Sequence, residues 1–284
     1  MDVTGEIGEV RRLVAAARQR GCGIGCVPTM GALHPGHVSL VAECRKRVDY
    51  TVLTIFVNPT QFAPHEDLNK YPRPIEADLA ACRAAGVDCV FMPEISSLYP
   101  PGYDTWVTVE GMSSLLEGEF RPGHFRGVAT IVAKLFNIVH PDIACFGSKD
   151  YQQQSLIRQM VRDLNQPVEI VVCPTIREPD GLAMSSRNVY LSPSDRETAV
   201  VLSRSLRTAE QALLSGERDV AAVEARMRAE LESKPNVRVQ YAVIRDPVTL
   251  QPLTESQPEM VGLIAAYVGQ TRLIDHLTIR LPRS

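Results

Sequence analysis

The run Thr51-Val52-Leu53-Thr54-Ile55-Phe56-Val57 is β-branched or apolar without a break, and it stops at Asn58-Pro59-Thr60-Gln61. A strand with one wet face alternates polar and apolar residues. A run without alternation suits a strand covered on both faces, as in a parallel sheet lined by helices. The flanking segments agree. Ile7, Val10, Leu13, Val14 and Ala17 recur at helical spacing and end at Gly21 and Gly23, a short strand follows, and residues 37–48 read as a helix that can bury Val38, Leu40, Val41 and Cys44. After a polar loop through Tyr71-Pro72-Arg73-Pro74, residues 75–85 read as a helix closed by Gly86, and residues 87–92 as the next strand. This alternation predicts an α/β fold, a Rossmann-like doubly wound parallel sheet with ligands at the carboxyl ends of its strands.

The plan continues with a helix over 128–139, a strand over 143–146, a glycine turn at Gly147-Ser148-Lys149-Asp150, a helix to about residue 164 and a strand over 168–173. A strand is also expected over 106–109, and residues 117–127 read as too polar for core. Near residue 175 the pattern changes. Ser192-Pro193-Ser194-Asp195 is a helix-start signature, helices are expected over 194–215 and 218–233, and strands over 237–245, 261–268 and 272–281. The expectation is a first domain of residues 1–175 that binds ligands and a smaller α+β C-terminal domain of residues 176–284 that acts as a lid.

A chain of 284 residues with net charge −3 and interspersed signs lacks the electrostatic footprint of a nucleic-acid or membrane binder. Acidic Asp2, Glu6 and Glu9 precede the first arginines, so no secretory signal is read, and no apolar run has the length of a membrane span. Seven cysteines spread through expected strands and helices read as buried thiols in a reducing cytoplasm.

Chemistry concentrates where expected strands end. Val27-Pro28-Thr29 runs into Met30-Gly31-Ala32-Leu33-His34-Pro35-Gly36-His37, a strand, a tight loop and a helix opening at Pro35 or Gly36 with both histidines on one side of its first turn. Free N–H groups, positive dipole charge and two imidazoles suit a polyphosphate. A zinc site would need further ligands; His65, His124 and His140 are the candidates, and the anion reading is preferred. Neither common phosphate motif fits. Gly21, Gly23 and Gly25 precede a strand instead of following one, and Gly147-Ser148-Lys149-Asp150 lacks the Gly-Lys-Ser/Thr ending of a P-loop. Asn58 and Gln61, Lys149, Asp150 and Gln153, and Ser185, Ser186 and Arg187 are the other unusual polar groups; adjacent strand ends would bring them to one crevice.

The histidine motif resembles that of the nucleotidylyl transferase superfamily. Phe56-Val57-Asn58-Pro59-Thr60-Gln61-Phe62, Arg121-Pro122-Gly123-His124-Phe125-Arg126-Gly127, Phe146-Gly147-Ser148-Lys149-Asp150-Tyr151-Gln152-Gln153 and Met184-Ser185-Ser186-Arg187-Asn188 resemble the pantothenate synthetase family. The resemblance implies a two-step ligase. Pantoate and ATP give pantoyl adenylate and pyrophosphate, and β-alanine then displaces AMP. It also implies that residues 30–37, Gly147, Ser148, Lys149, Asp150, Ile176, Met184, Ser185, Ser186 and Arg187 line the ATP site, with His37, His34, Lys149 and Arg187 catalytic and His37 the assigned proton donor. His37 is expected to act mainly as a hydrogen-bond donor to phosphate, because a helix start disfavours an imidazolium. Gln61, Gln153 and Asn58 are the substrate-binding candidates, Gln61 being shared with β-alanine. Asp150 is expected on a ribose hydroxyl, and Mg²⁺ to be held mainly through ATP phosphates without dedicated protein ligands. Asp78 is a candidate for outer-shell help, with the solvent face of a helix as its plainer reading; Arg121, His124 and Arg126 are unassigned. A homodimer is expected from the resemblance alone. The rivals are a class I aminoacyl-tRNA synthetase, which would need a basic tRNA-reading surface and a lysine-bearing loop in place of Met184-Ser185-Ser186-Arg187, a simple nucleotidylyl transferase, and a non-catalytic nucleotide sensor.

Overall fold

The computed structural model describes residues 1–64 and 66–282. His65, one of the zinc candidates, lies outside the described residues. The chain divides into two compact units, residues 1–148 with 152–174, and residues 149–151 with 175–284.

The first unit is built on β1 (Asp2–Thr4), α1 (Ile7–Gln19), β2 (Ile24–Thr29), α2 (Pro35–Arg45), β3 (Tyr50–Ile55), α3 (Ile75–Ala85) and β4 (Cys89–Phe91). The short helices α4 (Ile95–Leu98) and α5 (Glu117–Phe120) follow, then α6 (His124–Val139), β5 (Ile143–Gly147), α7 (Tyr151–Asp163) and β6 (Glu169–Cys173). The sheet order is β1-β4-β3-β2-β5-β6, and every pair is parallel. Every residue of β3 is buried, as its unbroken run requires. Successive residues feed opposite faces: Cys26 and Val52 join one apolar cluster, Val27 and Leu53 the other. Each fully buried Val or Leu contributes about 1.5–3 kcal/mol, so both faces hold the sheet. The chain winds outward from β2 through β3 to β4, then returns to β5 on the other side of β2. The topological switch therefore falls between β2 and β5, whose carboxyl ends carry the histidine motif and Gly147-Ser148.

One strand of this unit was not foreseen, and two expectations are corrected. An edge strand, β1, pairs with β4 although Asp2-Val3-Thr4 carries no apolar pattern. Residues 106–109 form no strand; the Val107 N–H donates to Thr130 Oγ1 (3.0 Å) instead of to a neighbouring strand. Residues 117–127 are not excluded from the interior: Glu117, His124, Phe125 and Gly127 are buried, and α6 starts at His124, earlier than expected. Their polar groups are paired with one another and with the main chain, which makes burial tolerable.

The second unit holds α8 (Pro193–Ala199), α9 (Val201–Leu214) and α10 (Val220–Glu232), followed by the antiparallel meander β7 (Val237–Arg245), β8 (Glu259–Val268) and β9 (Thr271–Arg280). The expected first helix is in two pieces joined at Val200, which keeps helical dihedrals (φ −60°, ψ −22°). Leu202, Leu206 and Leu213 of α9 pack with Ile244, Ile264 and Ile279 in one core. The architecture is thus a doubly wound parallel sheet plus a smaller α+β unit. All seven cysteines are free thiols and six are buried. No helix among the described residues is long and apolar enough to cross a membrane.

Candidate active site

The histidine pair is held by its own helix start. His34 is the N-cap of α2 in extended conformation, with Pro35 at the first helical position. His34 Nδ1 accepts the Gly36 N–H (3.1 Å), while His37 Nδ1 accepts the His34 N–H (3.3 Å), a capping box made of two imidazoles. Because both Nδ1 atoms accept, each neutral ring carries its proton on Nε2. The rings lie 4.1 Å apart between centroids. Two Nε2–H donors thus stand beside the positive end of a helix dipole.

The loop before them is shaped by Asp78. Gly31 (φ +80°) and Ala32 (φ +50°) form a left-handed turn, and the Asp78 carboxylate accepts the N–H groups of Ala32 (2.9 Å) and Leu33 (2.7 Å). Asp78 is 1% exposed, so its placement on the solvent face of a helix is corrected. Those two N–H groups are engaged by a carboxylate instead of pointing at a ligand. An Asp78→Asn variant offers one acceptor oxygen where two are needed and turns an NH₂ group onto an N–H. It should lose about 1–3 kcal/mol of stability, read by urea denaturation. An unchanged unfolding free energy would contradict this role for Asp78.

At the end of β3, Asn58 caps the 3₁₀ turn Pro59–Gln61. Its Nδ2 donates to Gln61 Oε1 (3.1 Å) and Gly127 O (3.2 Å), and its Oδ1 accepts from Thr60 Oγ1 and Tyr99 OH (both 2.9 Å). The Asn58 amide is therefore fully used by protein groups. Gln61 Nε2 reaches Met30 Sδ (3.1 Å), so Met30, Asn58 and Gln61 meet just beyond the ends of β2 and β3. The Gln61 amide has a second N–H and a second lone pair to offer a ligand. Gln153 sits half-buried in the first turn of α7. The Ser148 N–H, next to Gly147, donates to Cys173 O (2.8 Å). Arg126 lies over the Trp106 ring, 4.5 Å from its centroid.

The remaining candidates belong to the second unit. Residues 176–184 double back on themselves: the Met184 N–H donates to Ile176 O (3.0 Å), and Arg177 and Ala183 pair antiparallel. Arg177 anchors this hairpin to β9 by a two-pronged ion pair with Asp275 (2.7 and 2.8 Å). Ser185 caps the following 3₁₀ turn, accepting the Arg187 N–H (3.3 Å), and Ser186 opens it. Lys149, Ser185, Asn188 and Asp275 line one small cavity. Asp150 and Lys149 both act electrostatically on the buried His276 ring, which lies tilted against Tyr151 with the ring centroids 5.3 Å apart.

Burial pushes His276 down to about 4, and His124 in the first unit likewise to about 4. Each ring is neutral when folded, whereas an unfolded histidine titrates near 6.5. Between those values the unfolded chain binds more protons, so stability should fall as pH drops from about 6.5 towards 4. Urea midpoints at pH 7 and pH 5 should differ, and His276→Gln should reduce the difference; equal midpoints in the wild type would contradict the assignment.

Comparison with known proteins identifies the family. Residues 2–278 match the family model described as pantoate-beta-alanine ligase. A pantothenate synthetase of Moorella thermoacetica is 50% identical over 281 residues, covering 99% of each chain. The crystal structure of pantothenate synthetase from Thermus thermophilus superposes with a TM-score of 0.93 at 45% identity, covering 98% of this chain and 99% of that one. A pantoate-beta-alanine ligase from Francisella tularensis, complexed with beta-gamma ATP and beta-alanine, gives a TM-score of 0.81 at 33% identity, covering 98% and 97%.

Proposed function

This chain belongs to the pantoate-beta-alanine ligase family, and on that premise we propose that it joins pantoate to β-alanine with cleavage of ATP, through a pantoyl adenylate, releasing pyrophosphate and AMP. In the first step a pantoate carboxylate oxygen bonds to the α-phosphorus as the bond to the bridging oxygen breaks. Negative charge then gathers on the departing pyrophosphate. In the second step the β-alanine nitrogen bonds to the acyl carbon, the bond to AMP breaks, and the nitrogen gives up a proton.

The observation that carries this reading is the imidazole capping box, with two Nε2–H donors at the start of α2. Such donors stabilise charge that develops on phosphate oxygens and need no reorganisation when it appears. In this reading His34 and His37 act at the phosphates with Lys149 and Arg187, while residues 30–33, Gly147, Ser148, Ile176, Met184, Ser185 and Ser186 complete the ATP contacts and Asp150 takes a ribose hydroxyl. Gln61 and Gln153 orient pantoate without a fixed charge that would hold its carboxylate away from phosphorus, and Gln61 also meets β-alanine. Asn58, its amide already satisfied, supports Gln61 instead of touching substrate. Mg²⁺ enters with ATP as part of the substrate, on phosphate oxygens.

The deciding measurement is exchange of labelled pyrophosphate into ATP. Exchange that requires pantoate, followed by AMP release that requires β-alanine, is expected; exchange driven by an amino acid, or none, overturns the reading. Three narrower proposals accompany it. The chain works as a homodimer, checked by light scattering. It is cytoplasmic, checked by fractionation. The C-terminal unit serves as a lid that keeps water from the mixed anhydride, checked by proteolytic protection of residues 177–188 on adding MgATP and pantoate.

A further inference from the structure

Gln61 is fixed through its main chain as well as its side chain. Its carbonyl oxygen accepts from His124 Nδ1 (2.8 Å) and from Arg121 Nη2 at longer range (3.4 Å). A carbonyl can only accept, so the His124 proton resides on Nδ1, leaving Nε2 to accept from Arg121 Nη1 (3.1 Å). Arg121 is in turn gripped by Glu66, through Nε (2.6 Å) and Nη2 (2.9 Å), with Glu117 3.8 Å away. All three guanidinium nitrogens therefore face protein groups. Burial keeps the His124 ring neutral, which preserves this donor and acceptor pattern. Burial would also raise the Glu66 carboxyl, but the Arg121 hydrogen bonds and charge override it and hold the group below the usual carboxylate range.

The backbone is arranged for the same contact. A Cβ on Gly127 would fall 2.4 Å from Thr60 O and 2.8 Å from Gln61 N. The first turn of α6 therefore lies directly against the main chain of residues 60–61, and only glycine permits it. His124, the first residue of that helix, is thus carried to the Gln61 carbonyl by the same close approach.

We propose that Glu66, Arg121 and His124 are positioning residues that fix Gln61, and so set the affinity for the hydroxy acid, without touching substrate themselves. The network runs from a charged pair to a single carbonyl oxygen of the residue that meets both organic substrates. This assignment rests on the reading that Gln61 binds pantoate.

The test is steady-state and exchange kinetics on the full-length enzyme. His124→Ala should raise the KM for pantoate about tenfold and leave the KM for ATP within about twofold. His124→Asn, whose amide N–H falls near the position of Nδ1–H, should recover most of the loss. On a Gln61→Ala background the His124→Ala change should add less than about twofold, because a residue that acts through Gln61 has nothing left to position. Where His124→Ala gives no folded protein, Glu66→Gln carries the test, with a rise of about threefold in the pantoate KM at unchanged ATP KM. Equal increases for ATP and pantoate, effects that multiply on the Gln61→Ala background, or an unchanged pantoate KM in these variants overturns the positioning role while wild-type exchange remains normal. Absence of pantoate-dependent exchange in the wild type overturns the functional reading itself, and this proposal with it.

Discussion

A His37→Asn variant should lose about 10²- to 10³-fold in the rate of adenylation, the scale of removing one preorganised donor from a developing negative charge. Its thermal midpoint should move little. The two nitrogens of His37 have separable duties: Nδ1 accepts the His34 N–H and closes the helix cap, while Nε2–H points away from the cap. An asparagine oxygen can stand where Nδ1 stands, so the cap survives, but its amide does not reach the Nε2 position. Glutamine does the reverse, restoring an N–H at the longer reach. If His37 is a neutral donor, His37→Gln should recover at least about tenfold over His37→Asn. A general acid would give a different pattern, since an amide cannot deliver a proton and both variants would be equally poor. The pH profile separates the two again. An imidazolium acid loses activity as pH rises and its proton leaves, and that alkaline limb would vanish in His37→Gln. A neutral donor loses activity as pH falls, because protonating Nδ1 removes the acceptor that holds the cap. Equal rates for the two variants, with loss of the alkaline limb, would rule out the neutral-donor role.

Much of this was legible in the sequence because two signals are local. An unbroken apolar run reports burial on both faces whatever the remainder of the chain does, and β3 follows it. A capping pattern with Pro at its first position reports a helix start, and α2 begins there. What was missed depends on partners far along the chain. Asp78 looks like an ordinary first-turn acid of α3, yet the N–H groups it accepts lie more than forty positions earlier. A signal was present: Asp78 is three residues after Ile75 and four before Cys82, on the apolar side of its helix, where a charge needs a specific partner. Residues 117–127 mislead in the same way. Their polarity argues for solvent when each side chain is judged alone, whereas Arg121, Glu66 and His124 satisfy one another and enter the interior together. For β1 no local signal exists, since its place at the sheet edge comes from pairing with β4.

The largest stability effect is expected from Arg177. Its guanidinium makes both prongs of the pair with Asp275 and also donates to Gly181 O (3.0 Å) and His276 O (3.1 Å), so one side chain ties the 176–184 hairpin to β9. The Asp275 side chain is 2% exposed and that of Arg177 22%. Removing the arginine strands a buried carboxylate that keeps only the His276 N–H as partner among these contacts. Breaking such a pair costs about 3–5 kcal/mol, far more than any surface pair in the molecule. Arg177→Ala should therefore lower the unfolding free energy read from urea denaturation by that amount and raise the KM for ATP, since the proposed ATP contacts Ile176, Met184 and Ser185 move with the hairpin. Stability and placement can be separated with the double variant Arg177→Met, Asp275→Leu. Exchanging both charges for apolar groups of similar bulk removes the stranded carboxylate, so most of the lost stability should return. The tie to Gly181 and His276 does not return, and the KM for ATP should stay raised. A loss below about 1 kcal/mol in Arg177→Ala would place this pair among ordinary surface bridges. Recovery of both stability and KM in the double variant would show that the hairpin keeps its shape through its backbone pairing of Ile176 with Met184 alone.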